Sequence, residues 1–312
     1  MGHHGLLVWG GFTALVAILL IVDLGVLNRR SHVLSYKEAL SWSGSIVALA
    51  LLFGLFLLWR EGHNHALEYY TGYIIELSLS VDNLFVFLLL FQYFRVPPEL
   101  RARVLKWGIL GAVVMRLLMI LVGAYLIQRF HWILYLFGAL LLYSAYRMLR
   151  QGEERALVVA SNPVVRLAKR VMPFTDRYVG QRFFARTATG ALVATPLLLV
   201  ILVVEWSDLV FAIDSIPAVF AVTRDPFLVY SSNVFAILGL RALFFVIAGM
   251  MDQFVYLKTG VAVILGFVGV KMLTTHWVDL PIILSLGVII GVLAISVLLS
   301  LWHNRREARA NP

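Results

Sequence analysis

The chain has 312 residues, is 61% hydrophobic and 14% charged, and has a mean hydropathy of +0.90. That leaves too little polar surface to cover a soluble core, and the absence of cysteine excludes disulfides, thiolate metal sites and thiol catalysis. A net charge of +9 does not mark a nucleic-acid binder here, because Lys and Arg gather at the ends of apolar runs, where they set membrane topology.

A helix needs roughly 20 apolar residues to cross the hydrocarbon core of a bilayer. Nine runs qualify: 6–28, 38–59, 69–94, 104–128, 131–149, 189–222, 226–250, 255–274 and 280–303. The first, from Leu6 to Leu27, lacks a basic leader and a small-residue cleavage site, so it reads as a retained helix. The expected fold is an all-α polytopic membrane protein. Two helices lie in 1–68, a three-helix unit in 69–149, a basic loop in 150–188, a second three-helix unit in 189–274, and a final helix with a basic tail in 275–312. Within the loop, SNPVVRLAKRVMP reads either as a short amphipathic helix in the membrane surface or as a solvated segment.

Twenty Lys and Arg fall in one set of alternate loops and the C-terminal tail. Four fall in the other set: Arg60, Arg129, Arg224 and Lys271. The positive-inside rule then puts the N-terminus outside and the C-terminus in the cytoplasm.

The two three-helix units resemble each other. RLLMILVGAYLIQRFHWILYLFGALLLYSAYRML from Arg116 aligns, with one gap, on RALFFVIAGMMDQFVYLKTGVAVILGFVGVKML from Arg241. Upstream, Glu76 falls on Asp208, and Val81-Asp82-Asn83 on Ile213-Asp214-Ser215. Three crossings per copy make the second enter from the opposite face. That is an inverted repeat, an architecture that places transporter sites between the halves near the midplane.

Charge near the bilayer centre costs several kcal/mol or more. Asp23 can reach the headgroups, but Glu76, Asp82, Glu205, Asp208 and Asp214 cannot, and they fall in two segments, IELSLSVDNLFVF and VVEWSDLVFAIDSIPAVF, each leading one copy. Glu205 and Asp208 share a helix face, as do Glu76 and Asn83, whereas Asp214 would face away on a straight helix. The run 189–222 would span about 51 Å as one helix, and Pro217 removes a backbone bond. A break near Asp214 to Pro217 is therefore expected.

The ligand inventory is Glu76, Asp82, Asn83, Glu205, Asp208, Asp214 and Ser215, all hard oxygen donors. That set suits Mn²⁺, Mg²⁺ or Ca²⁺ better than Zn²⁺ or Cu⁺. Arg116 and Arg241 balance part of the negative charge, and a divalent ion plus a proton would complete it, which fits exchange of metal for protons. Ser78, Ser80 and Ser207 read as packing residues, as do Gly108, Gly111, Gly239, Gly266 and Gly269. Asn233 reads as a cross-helix bond and Glu61 and Glu68 as solvated loop acids. His3 and His4, at the terminus, count for little. No permanently bound cofactor, nucleic-acid partner or enzymatic nucleophile–base pair is indicated, and the oligomeric state is open.

ELSLSVDNLFVF and EWSDLVFAIDSIPAVFAVTRDPFLVYSSNVFAILGLRALFF closely resemble the TerC family, especially its Alx-type bacterial members. GGF near the start, ATPLLLV and AVILGFVGVKML extend the likeness over nearly the whole chain. The resemblance implies an integral protein of the bacterial inner membrane, related to LysE-type transporters. The family is linked to tellurium resistance and manganese export. It implies that Glu76, Asp82, Asn83, Glu205, Asp208, Asp214 and Ser215 hold the ion, and that the ion is Mn²⁺. Two other readings remain: oxyanion export with the arginines as the anion site, and a membrane scaffold that does not transport.

Overall fold

The computed structural model describes residues 5–22, 36–130, 132–150, 163–186, 190–248, 255–275, 277 and 280–310. Asp23, His3 and His4 lie outside the described residues. Ten helices and one short hairpin are described. In chain order they are α1 (Leu6–Ile21), α2 (Tyr36–Glu61), α3 (His63–Tyr93), α4 (Pro98–Arg129), α5 (Ile133–Arg150), α6 (Pro163–Val171), β1 (Phe184–Arg186), β2 (Leu192–Ala194), α7 (Pro196–Phe220), α8 (Pro226–Ala248), α9 (Leu257–Thr274) and α10 (Ile282–Ala310).

Each of the nine apolar runs holds a helix. By length and apolarity, six among the described residues can cross a membrane: Lys37–Glu61, His63–Tyr93, Pro98–Arg129, Pro196–Phe220, Leu257–Thr274 and Ile282–Asn304. Leu7–Ile21 and Pro226–Leu240 are shorter apolar stretches. Side chains such as Leu52, Leu55, Leu118, Val122, Ile283 and Leu298 stand exposed on α2, α4 and α10. Apolar faces of this extent suit hydrocarbon, and helices satisfy their own backbone bonds there.

The sixth run departs from expectation twice. Its helix begins at Pro196, not at residue 189, because Leu192–Ala194 pairs antiparallel with Phe184–Arg186, Phe184 opposite Ala194. Thr195 pins the junction: its hydroxyl donates to the Arg182 carbonyl at 2.7 Å and its amide to the Phe183 carbonyl at 2.9 Å. Pro196 then sits where a helix needs no N–H donor. The 25-residue helix rises only about 37 Å, so the length argument for a break disappears. The expected unwinding near Asp214 to Pro217 is likewise absent. Pro217 lies inside a continuous helix, as prolines do in membrane helices when neighbours repack around the freed carbonyl.

The segment SNPVVRLAKRVMP contains the helix α6, with Leu167 and Val171 exposed beside its basic residues. Tyr178, between α6 and the hairpin, donates to the Phe94 carbonyl at the end of α3, 2.8 Å away. Burial pushes its pKa up to about 12, so it remains a donor at neutral pH. At the opposite end α3 starts at His63, earlier than expected, which carries Glu68 into the helix. There it is half-buried and accepts a 2.6 Å bond from Thr223, so it is not a solvated loop acid. Glu61, the last residue of α2, is half-buried as well. Asp225 caps α8 by accepting the Phe227 amide at 2.8 Å, with Pro226 at the first helical position. Lys271 is also not a loop charge: it is buried in the last turn of α9 and donates to Ser285 of α10 at 2.9 Å.

Packing runs mainly between the two three-helix units. α5 lies along α9, α3 packs on α8 and α7, and α4 packs on α7 and α8, while α3 and α4 barely meet. Two large apolar clusters result, with a small third of Ile109, Ala112, Val113 and Ile237 on α4 and α8. One joins Phe12, Phe53, Tyr69, Ile75, Phe227 and Phe235 towards the α3 N-terminus. The other joins Leu84, Phe87, Phe91, Leu105, Val204 and Phe244 towards the α3 C-terminus.

The α5–α9 crossing is tight. A Cβ on Gly138 would lie 3.1 Å from the Gly269 carbonyl oxygen, and one on Gly269 would lie 3.0 Å from that of Gly138. Gly138→Val should therefore force the helices apart and cost about 1–3 kcal/mol. Thermal melting of the detergent-purified chain should show a lower Tm; an unchanged Tm would mean that the crossing is loose.

Candidate functional site

Glu76 on α3, Arg116 on α4, Asp208 and Ser215 on α7 and Asn233 on α8 meet between the two large apolar clusters, Glu76, Arg116 and Asp208 each near the middle of its helix. All five are buried, with Glu76 and Asn233 at 0% exposure and Arg116 at 1%. Helical spacing explains the gathering: Asp208 and Ser215 are seven residues apart, two turns along one face of α7.

Arg116 is the hub. Its Nη2 donates to Asp208 Oδ1 at 3.1 Å and its Nε to Asp208 Oδ2 at 3.4 Å, a forked pairing. Its Nη1 meets Glu76 Oε1, Asn233 Oδ1 at 2.6 Å and Ser215 Oγ at 3.3 Å. The bond from Nη1 to Glu76 is also an ion pair, as is that from Nη2 to Asp208. Two carboxylates against one guanidinium leave this hub one negative charge in excess when both acids are ionised.

Several polar atoms in the same layer have no partner among the described residues: Glu76 Oε2, Ser80 Oγ and Asn233 Nδ2. Ser80 follows Glu76 by one turn of α3. Orphaned buried oxygens are costly, and beside an excess negative charge they suit a further cation or a proton. Nevertheless, no group of three or more acids or histidines close enough to hold a metal occurs among the described residues. In this structure Arg116 fills the space between the two acids.

The other expected ligands make no bond to this hub among the described residues. Asn83 is buried two turns further along α3. Glu205 is half-buried on α7, and its carboxylate sits where a Cβ on Gly111 of α4 would be. Gly111, expected to serve close packing, thus makes room for a charged group. Asp214 faces away from the hub, as a straight helix requires, and accepts a 2.6 Å bond from Ser144 of α5. The side chains of Asp82 and Arg241 lie outside the described residues; their backbones belong to α3 and α8.

Sequence reasoning did not single out Ser144, whose hydroxyl carried no mark among many small residues. It gave Asn233 only a general cross-helix role, yet Asn233 closes the hub. Its place in α8, eight residues ahead of Arg241, was the available signal. Ser78 and Ser207 donate to the backbone carbonyls of Ile74 and Val203, one turn back in their own helices. A small cavity reaches Asp208 from the side of Phe87, Leu105, Gly108 and Ala112.

Comparison with known proteins agrees with this architecture. The model of the integral membrane protein TerC family matches residues 61–308. The chain is 47% identical over 310 residues to a Salmonella typhi protein whose name is that of a membrane-bound redox modulator, Alx, with 96% of each chain covered. An uncharacterized membrane protein of Myxococcus xanthus is 46% identical, over 98% of this chain and 94% of its own. The chloroplastic thylakoid membrane protein TERC of Arabidopsis thaliana is 45% identical, over 92% of this chain and 74% of its own. No solved structure matches. With a family match over most of its length and relatives of this similarity, the chain is a multi-pass integral membrane protein of the TerC family.

Proposed function

We propose that the chain exports a divalent metal ion, Mn²⁺ first, from the cytoplasm across the bacterial inner membrane in exchange for protons. The observation behind this reading is the buried layer of Glu76, Asp208, Asn233 and Ser215, with orphaned oxygens on Glu76 and Ser80, held between two apolar clusters. Buried acids around a mid-helix cation are the kind of site that ion carriers use. Hard oxygen donors without cysteine favour Mn²⁺, Mg²⁺ or Ca²⁺. Asp82, Asn83, Glu205 and Asp214 complete the ligand and proton-carrying set, and Arg241 balances charge.

The inverted repeat belongs to the same proposal. Packing is supportive: α3 on α8 has its counterpart in α7 on α4, and α5 on α9 is its own counterpart. With nine crossings, taken from the apolar runs, the charge bias of the loops puts the N-terminus outside.

Oxyanion export is less well supported, since the donors of Arg116 are already turned towards Glu76, Asp208, Ser215 and Asn233. The name of the bacterial relatives suggests a redox role. Without cysteine, such a role would not run through thiol–disulfide exchange in this chain. Passage of a redox-active metal ion offers a route instead.

The test is Mn²⁺ flux in proteoliposomes, with Mg²⁺, Ca²⁺ and Zn²⁺ as competitors and with and without a pH gradient. Saturable flux that moves protons the other way is expected, strongly reduced in Asp82→Asn and Asp214→Asn at normal expression. No flux under either gradient, or full flux in both variants, contradicts the proposal.

A further inference from the structure

The guanidinium of Arg116 is surrounded by more oxygen than it can satisfy. Its Nη1 carries two hydrogens but faces three acceptors: Glu76 Oε1, Asn233 Oδ1 and Ser215 Oγ. With the two oxygens of Asp208, five oxygens converge on one cationic group. Carboxylate, amide and hydroxyl oxygens in that number make a coordination set of the kind hard divalent ions take, usually six to eight for Ca²⁺ and six for Mg²⁺. A spherical ion has no hydrogens to apportion, so it can use all five and recruit Glu76 Oε2, which is orphaned in this structure.

We propose that Arg116 is a tethered competitor of the transported ion: guanidinium and divalent cation occupy the same oxygens of Glu76, Asp208, Ser215 and Asn233 in turn. This rests on the transport reading above. The ion enters as Arg116 withdraws, and Arg116 returns as the ion leaves. The buried carboxylates are therefore never left without a cation, a state that a low-dielectric interior penalises heavily. The direction of withdrawal is back along α4, into a narrow space that has to widen as the guanidinium enters it. Ala112 and Gly108 lie one and two turns back towards its N-terminus, the direction in which helical side chains lean, and both line the small cavity that reaches Asp208.

The measurement is calorimetric Mn²⁺ binding to the detergent-purified full chain at fixed pH, for the wild type, Arg116→Gln and Arg116→Lys. Removing the competitor should tighten binding about tenfold or more in Arg116→Gln, equivalent to about 1.4 kcal/mol. Arg116→Lys keeps the charge but loses the fork, so it should fall between the two and should fold even if Arg116→Gln does not. Flux through both variants should fall, because the ion is no longer expelled. Binding unchanged or weaker in the folded variants, with normal wild-type flux, overturns the competition and leaves transport standing. Absent wild-type flux overturns the transport reading alone, since tighter binding in the variants would still show a shared cation site.

Discussion

Asp208→Asn is expected to abolish saturable Mn²⁺ flux and to lower the stability of the whole bundle. Asp208 is the partner that takes two of the donors of Arg116, at 3.1 and 3.4 Å. The amide keeps one acceptor oxygen, presents an N–H₂ group in place of the other and removes the charge. Arg116 would then remain buried with Glu76 as its counter-ion. Glu76 still compensates the buried cation, so the cost is that of the lost charge-assisted fork, about 1.5–3 kcal/mol. Ser215→Ala removes a single neutral contact to the same guanidinium and should cost only about 1 kcal/mol. Thermal melts of the two purified variants should therefore separate, with Asp208→Asn the lower. Flux retained in a folded Asp208→Asn protein would take the hub out of the transport path.

A second substitution should separate transport from stability. Gly111→Ala places a methyl group where the Glu205 carboxylate now sits. The displaced atoms are the far end of a flexible side chain, so the fold can yield at little cost, within about 1 kcal/mol. The carboxylate cannot stay where it is, one turn of α7 from Asp208. Displacing a functional group by about 1 Å can lower a rate by up to a hundredfold, and a fall in flux of about tenfold or more is expected here. Glu205→Ala with Gly111→Ala should then be no slower than Glu205→Ala alone, since both act on one group. Unchanged flux in Gly111→Ala would make the pocket around Glu205 incidental.

The helices were legible because lipid imposes a length and an apolarity that few other environments demand. The start of α7 was not. ATPLLLV reads as continuous apolar sequence, yet Ala194 ends a strand and Pro196 opens the helix. A proline at the first helical position was the available signal, outweighed by hydropathy. The acids of the hub stood out for the opposite reason, as charges in apolar runs. Their assignment to partners did not: that Arg116 takes both Glu76 and Asp208, and that Asp214 turns to Ser144, depends on how helices rotate against one another. Asp214 facing away followed from the angle per residue once α7 was taken as straight. Glu68 was misread because the start of α3 lay beyond the apolar run that defined it.

The packing of each unit on the other has a consequence for assembly as the chain is made. α3 and α4 find their main partners in α7 and α8, more than 60 residues downstream. When the first unit emerges, it has no core of its own, and the buried ring of Asp208, Ser215 and Asn233 does not yet exist. Glu76 and Arg116 can screen each other during that interval, because they belong to the same unit. The second unit has to slot between helices already in the bilayer. Contacts of such sequence separation are slow to form. Expressed alone, residues 1–150 should accordingly be short-lived, and two halves made as separate chains would need each other to survive.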